Sequence, residues 1–119
     1  MVVSVDFDGT ITRAAEPVME GFNELAPHCK AVMEELAGMG VEFRLLTARR
    51  DCYVPEAVNL CKEWGLPIDL STPTRKTGAD VFIDDRNLGC TGIDWKDIRK
   101  QLLKMLKVEK SGFYTEETR

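Results

Sequence analysis

Residues 2–10, which read VVSVDFDGT, constrain the fold of this chain more than any other stretch. They are apolar from nearly the first residue, as a strand buried on both faces of a parallel sheet is, and they end in Asp6 and Asp8. These aspartates are two positions apart, so in extended chain they point to the same side, and Gly9 permits a sharp turn. Two carboxylates crowded at the tip of a buried strand are costly. The pattern therefore favours a cation or phosphate site over a plain capped strand end.

Two later apolar segments also end in polar clusters. Residues 41–47 (VEFRLLT) predict a second strand with a polar run directly after it, and residues 80–85 (DVFIDD) predict a short buried strand ending in Asp84 and Asp85. A brief strand is predicted at residues 68–70, between two prolines. Three predicted strands thus end in side chains suited to chemistry.

Helices are predicted where apolar residues recur at helical spacing, over residues 27–40, 54–64 and 94–108. Strands alternating with helices predict an α/β sandwich with a mostly parallel central sheet and right-handed crossovers. In such folds, ligands bind beyond the carboxyl ends of the strands. The polar clusters that follow the predicted strands fall at that edge.

The chain has 119 residues, which predicts one domain large enough to fold without a disulfide or a metal. We expect this α/β domain to span residues 1–110, with a polar tail over 111–119. Residues 11–26 show no clean period and directly follow the acidic strand tip. They predict a loop or short hairpin that covers a site as a flap.

The formal net charge of −4 and the pI near 5.0 argue against general binding to nucleic acid or anionic membranes, although a local basic groove stays compatible with them. The chain begins directly with a strand and contains no apolar run of membrane-spanning length, so we expect a cytoplasmic protein. His28 is expected at a solvated helix end rather than in catalysis. The four cysteines show no metal-binding spacing and are expected to be reduced; they are Cys29, Cys52, Cys61 and Cys90.

Carboxylates converging at one sheet edge repel each other unless a cation lies among them. Oxygen ligands on short, rigid strand tips favour Mg²⁺ over Ca²⁺. The Thr47 hydroxyl, the Lys76 ammonium and turn amides near Gly9 are groups that bind phosphoryl oxygens. Together these features predict phosphoryl transfer. The chain has no P-loop motif, so a P-loop kinase or nucleotidase is not supported.

Four segments in order resemble the four motifs of the haloacid dehalogenase-like (HAD) hydrolases. They are DFDGT at residues 6–10, LLTAR at 45–49, a lysine at 76 and FIDD at 82–85. The resemblance implies a three-layer Rossmann-like sandwich, a Mg²⁺ cofactor and a two-step phosphatase with an aspartyl-phosphate intermediate. Only residues 11–26 and 51–75 offer room for a cap domain, so it also implies a minimal, capless member. An open site of that kind serves a large phosphorylated substrate, or a small one in a homo-oligomer.

Carried over by position, the resemblance implies Asp6 as the nucleophile and Asp8 as the general acid and base. It implies that Thr10 orients Asp8, and that Thr47 with the adjoining Ala48, Lys76 and the turn at Gly9 hold the phosphoryl group. The implied metal ligands are Asp6, Asp8, Asp84 and Asp85, with Asp84 preferred over Asp85 as the direct ligand.

Several alternatives stay open at this stage. Arg75 competes with Lys76 for the phosphate role, because the lysine lies closer to the final acidic pair than the family pattern usually has it. Phosphotransfer to a second substrate, a non-catalytic phosphate-binding relative and a receiver-like signalling module remain rivals, although the motif order disfavours the receiver. Four arginines in loops are candidate substrate contacts: Arg13, Arg49, Arg50 and Arg86.

Overall fold

Four strands form one parallel sheet within the part of the chain that the computed structural model describes, namely residues 1–76, 78–84 and 93–111, with side chains as far as residue 107. The strands are β1 (Val2–Asp6), β2 (Glu42–Leu46), β3 (Ile68–Asp69) and β4 (Val81–Ile83). Their order across the sheet is β3-β2-β1-β4, and every neighbouring pair runs parallel. The prediction of an α/β protein with a parallel sheet is therefore confirmed.

Three helices accompany these strands in the described ranges: α1 (Cys29–Gly38), α2 (Val54–Glu63) and α3 (Trp95–Ser111). The first helix begins two residues after Pro27, later than predicted. His28 adopts a left-handed conformation with φ of 67°, which an α-helix does not accommodate. The His28 side chain is exposed, so the expected solvated helix end is confirmed.

The central strand β1 carries the core. Val3 and Val5 are fully buried, and α1 and α3 contact each other as well as the core cluster. Trp64, at the end of α2, is half-buried and stacks on Phe7 with ring centroids 6.1 Å apart. The predicted apolar side of α3 is buried at Trp95, Ile98, Leu102 and Leu106.

Residues 11–26 form the short hairpin that the sequence allowed. Thr12 and Leu25 pair in an antiparallel bridge, and the Ala26 amide donates to the Ile11 carbonyl at 2.8 Å. At its tip Val18 is 95% exposed. We call this segment the hairpin below; its movement as a flap stays a prediction.

In the described ranges, no helix combines the length and the apolarity needed to cross a membrane. The three cysteines described there, Cys29, Cys52 and Cys61, are free thiols as expected. The predicted loop at residues 87–92, Cys90 and residues 112–119 of the predicted tail lie outside the described residues, whereas Ser111, predicted to begin that tail, ends α3.

Candidate active site

A cavity of about 750 Å³ lies at the carboxyl ends of β1, β2 and β4. The strand register explains why. Asp6 at the end of β1 is aligned with Leu46 at the end of β2, and Val5 is aligned with Ile83 at the end of β4. The polar residues that follow each strand therefore emerge side by side. The lining residues are Ser4, Asp6, Asp8, Ala15, Glu16, Leu46, Thr47, Ala48, Arg49, Thr74, Lys76, Phe82, Ile83 and Asp84.

The cavity brings together predicted residues from all four motif segments. Asp6 and Asp8 come from the end of β1, Thr47 from the residue after β2, and Asp84 from the residue after β4. Lys76 enters from the loop before β4. Residues nearly eighty positions apart thus share one concave surface. Asp85 lies outside the described residues.

In the turn after β1, the Gly9 amide is bonded within the turn itself. Gly9 has φ of 78°, a conformation that suits glycine, and its amide donates to the Thr12 hydroxyl oxygen at 2.9 Å. Thr10 is fully buried, and its hydroxyl has no hydrogen-bond partner among the described residues. Gly9 and Thr10 therefore lie outside the lining of the cavity, although both were predicted to hold or orient the phosphoryl site.

Arg49, a predicted substrate contact, instead binds Asp8. Its Nε donates to Asp8 Oδ2 at 2.9 Å and its Nη2 donates to Asp8 Oδ1 at 2.8 Å. The remaining bonds run from Nη2 to Asn23 Oδ1 at 2.6 Å and from Nη1 to Glu56 Oε1 at 3.0 Å. Among the described residues, the guanidinium thus makes four hydrogen bonds, and it has five N–H donors.

The surroundings of the Arg49 guanidinium are aromatic as well as acidic. Its Cζ lies 4.9 Å from the centroid of the Phe7 ring and 5.1 Å from that of Phe22, within the range of cation–π attraction. Only 7% of the Arg49 side chain is exposed. The hydrogen bonds to Asp8 are the main reason why the pKa of Arg49 is raised above its ordinary value.

Sequence reasoning missed three of the groups that surround Arg49: Phe22 and Asn23 in the hairpin, and Glu56 in α2. Asn23 has φ of 59°, which asparagine tolerates better than most residues do. An asparagine near a glycine in an irregular segment indicates a turn, not a partner for a distant arginine. Nothing in the local sequence distinguishes these residues from ordinary loop and helix surface.

The remaining basic candidates differ in position. Lys76 and Arg75 are both exposed, but Lys76 lines the cavity, with its Nζ 4.8 Å from the centroid of the Phe82 ring, whereas Arg75 lies outside the lining. Arg13 pairs with Glu24 at 2.6 Å and borders a separate cavity of about 330 Å³. Arg50 is exposed, and Arg86 lies outside the described residues.

Comparison with known proteins links the chain to one solved structure. No family model matches the sequence, and no curated protein matches it. The structure of a conserved protein from Bacteroides thetaiotaomicron is 31% identical over 88% of this chain and 91% of that chain, with a TM-score of 0.70. The chain belongs to the family of that conserved protein. Because most of both chains is covered, the likeness extends over the α/β domain rather than over one motif.

The family member described here has a cavity rich in oxygen donors and poor in other metal ligands. Asp6, Asp8 and Asp84 all line it, and Thr47, which is 4% exposed, adds a hydroxyl that accepts from the Arg49 amide at 3.2 Å. Within the described residues, no three histidine, cysteine or acidic side chains are grouped closely enough to hold a metal ion by themselves. Chemically, the lining residues supply three carboxylates, a hydroxyl and a lysine ammonium to one cavity.

Proposed function

We propose that the protein is a Mg²⁺-dependent phosphatase that hydrolyses phosphate monoesters through an aspartyl phosphate on Asp6. One observation carries the proposal: four sequence segments resembling HAD motifs supply residues to the same cavity. The first segment supplies the carboxylates of Asp6 and Asp8. The other three segments supply Thr47, Lys76 and Asp84. A shared cavity is what this chemistry requires, since the nucleophile, the proton donor and the phosphate-binding groups all act on one phosphorus.

In the first half-reaction, an oxygen of Asp6 attacks phosphorus while the bond from phosphorus to the leaving oxygen breaks. Asp8 gives its proton to that oxygen, so the alcohol leaves neutral. In the second half-reaction, a water oxygen attacks phosphorus, and Asp8 takes the water proton. The bond to Asp6 breaks, its electron pair returns to the carboxylate, and phosphate is released.

In this proposal, Lys76 and Thr47 bind the phosphoryl oxygens in both steps. Lys76 and Thr47 border the cavity from different loops, so their ammonium and hydroxyl can together hold the phosphoryl group. Fixed donors in a partly desolvated site stabilise charge that develops on the transferring oxygens. This placement favours Lys76 over Arg75 for the phosphate role.

The donor set in the cavity fits Mg²⁺, which prefers oxygen ligands and retains several waters. The carboxylates of Asp6 and Asp84 line the same space, and the backbone carbonyl of Asp8 and the carboxylate of Asp85 complete the ligand set that the resemblance implies. When bound, Mg²⁺ offsets the repulsion among these carboxylates and the phosphate.

We further propose that the parallel sheet is the centre of a three-layer HAD-like sandwich without a cap domain. The two segments where such a cap is inserted contain a short hairpin and, in residues 51–75, mainly α2 and β3. Ala15 and Glu16 of the hairpin border the cavity, so the hairpin is the nearest cover that this chain supplies in the described residues. A site with so little cover can admit a large phosphorylated substrate.

The test is hydrolysis of p-nitrophenyl phosphate by the purified protein with Mg²⁺ and with a chelator. Asp6→Asn removes the nucleophile while preserving the size of the side chain, so we expect turnover to fall to background. Asp97→Asn is the matched control, because Asp97 is exposed on α3, away from the cavity lining, and accepts from Gln101 at 3.0 Å. Wild-type rates in Asp6→Asn, or in the presence of the chelator, would refute the proposal.

A further inference from the structure

We propose that Arg49 is a positioning residue that orients Asp8 as the base of the second half-reaction, and that the hairpin maintains this orientation through Asn23. The inference rests on the proposed phosphatase function and assigns to it two residues that the mechanism above does not use. It starts from the pairing between Arg49 and Asp8, in which both carboxylate oxygens accept a hydrogen bond.

The geometry leaves Asp8 able to accept a proton. A carboxylate has about four lone-pair sites, and Arg49 occupies one on each oxygen. The Asp8 side chain is still 24% exposed and lines the cavity. The two-bond pairing therefore sets the plane of the carboxylate while its other lone pairs stay accessible to a water in the cavity.

The two-bond geometry of the pairing bears on the half-reaction in which Asp8 is proposed to act as a base. Guanidinium groups bind carboxylates more strongly than they bind neutral carboxyl groups, because the bond is charge-assisted at both ends. During the first half-reaction Asp8 carries the proton that it donates, and the two-bond arrangement is then weaker. During the second half-reaction the proposed base is a carboxylate, the form to which a guanidinium donates two charge-assisted bonds.

Arg49 is itself held rigidly, and part of that support comes from the hairpin. Phe7 of the β1 turn and Phe22 of the hairpin both face the guanidinium, and Asn23 of the hairpin accepts from Nη2 at 2.6 Å. Glu56 of α2 accepts from Nη1 at 3.0 Å. A buried side chain with this many partners cannot reorient without breaking several contacts, so the position of the hairpin is transmitted to Asp8 through Arg49.

Loss of this orientation affects the two half-reactions unequally. With p-nitrophenyl phosphate, the leaving phenolate is stable and needs little protonation, so transfer of the phosphoryl group to Asp6 continues. Attack by water still requires that its proton pass to Asp8, and a displaced carboxylate accepts that proton slowly. The phosphoryl group then accumulates on Asp6.

The experiment is rapid mixing of the full chain with p-nitrophenyl phosphate and Mg²⁺, with phenolate release followed from the first turnover. For Arg49→Gln we expect a burst of phenolate stoichiometric with protein, followed by a steady rate roughly 10- to 100-fold below wild type. Arg49→Lys keeps the positive charge but not the two parallel N–H donors. Its steady rate should lie between those of Arg49→Gln and wild type. Asn23→Gly removes the side-chain amide without strain at φ of 59°. It should give a burst and a smaller decrease in the steady rate than Arg49→Gln.

Arg99→Gln is the matched control. Arg99 makes the same two-bond pairing, with Nε and Nη2 donating to Glu35 at 2.7 Å and 2.8 Å, but between exposed side chains. We expect wild-type kinetics from it. Acid-quenched protein should carry labelled phosphate in Arg49→Gln and far less in wild type.

Equal slowing of both phases in Arg49→Gln, with no burst, would overturn the inference while leaving the phosphatase function in place. If Arg49→Gln does not fold, Asn23→Gly is the test of the inference. A steady rate of Asn23→Gly equal to that of wild type would overturn the role of the hairpin. Absence of turnover in the wild type with aryl and alkyl phosphates alike would instead refute the proposed function.

Discussion

The indole Nε1 of Trp95 donates a hydrogen bond to the backbone carbonyl of Thr10 at 2.8 Å, across 85 positions of sequence. Trp95 opens α3, and Thr10 lies in the turn that follows β1, so the bond joins the last described helix to the turn that carries Asp8. Both residues are buried. The turn is therefore anchored from beneath by a helix that contributes no predicted catalytic group.

Trp95→Phe should destabilise the protein by about 2–4 kcal/mol, because it leaves a buried carbonyl without its donor and opens a small cavity. Urea unfolding followed by circular dichroism measures this loss. Trp64→Phe is the control, since Trp64 is half-buried and phenylalanine retains a ring to stack on Phe7; we expect about 1 kcal/mol or less there. Equal losses in the two variants would contradict the structural role of the Trp95 bond.

Lys76→Ala should lower kcat/KM for p-nitrophenyl phosphate by roughly 100-fold, because it removes a cavity-lining side chain that we propose stabilises charge on the phosphoryl oxygens. Arg75→Ala, at the neighbouring position outside the cavity lining, should change kcat/KM by less than about threefold, the size of an ordinary surface effect. Steady-state kinetics on the pair decide between the two residues. A larger loss from Arg75→Ala would reverse the assignment.

Stability should decline above pH 9 because of two buried thiols. Burial raises the pKa of Cys29 and Cys61 from 9.0 to about 12, and the neighbouring Cys61 adds to the shift at Cys29. Between these values the folded protein retains protons that the unfolded chain releases, so the free energy of unfolding falls as pH rises, by about 1.4 kcal/mol per pH unit for each thiol. Below pH 9 this contribution is complete and constant.

Urea midpoints measured from pH 8 to 11 test the thiol prediction against Cys61→Ala. The variant loses one of the two shifted groups, so its free energy of unfolding should decline less steeply with pH than that of wild type. The difference in slope should be about 1.4 kcal/mol per pH unit. Parallel curves for the two proteins would show that Cys61 does not contribute.

Much of the fold follows from local patterns. β1, β2 and β4 are each marked by an apolar run that ends in polar residues, and the structure places them as neighbours in one parallel sheet. Parallel strands end at the same edge. That rule is enough to predict a common cavity for Asp6, Thr47 and Asp84, and the structure brings these residues together.

Two local expectations depended on backbone details that residue type does not reveal. The helix expected from Pro27 begins later because His28 is left-handed, a conformation that is uncommon for residues other than glycine. Gly9 was expected to turn its amide towards the site, but the Thr12 hydroxyl, three residues on, accepts that amide. In both cases a specific hydrogen bond or φ angle decided between conformations that the sequence permits.

By itself, the sequence determined the α/β class, the parallel sheet and the edge at which the acidic residues meet, because the spacing of apolar residues encodes which faces of strands and helices are buried. Only the tertiary structure decided what Arg49 does. Its partners Asp8, Asn23 and Glu56 lie 41, 26 and 7 positions away. From its position after β2, the long side chain of Arg49 could extend in several directions. Its direction is selected by non-local contacts, which form only when the hairpin, α2 and the β1 turn have packed around it.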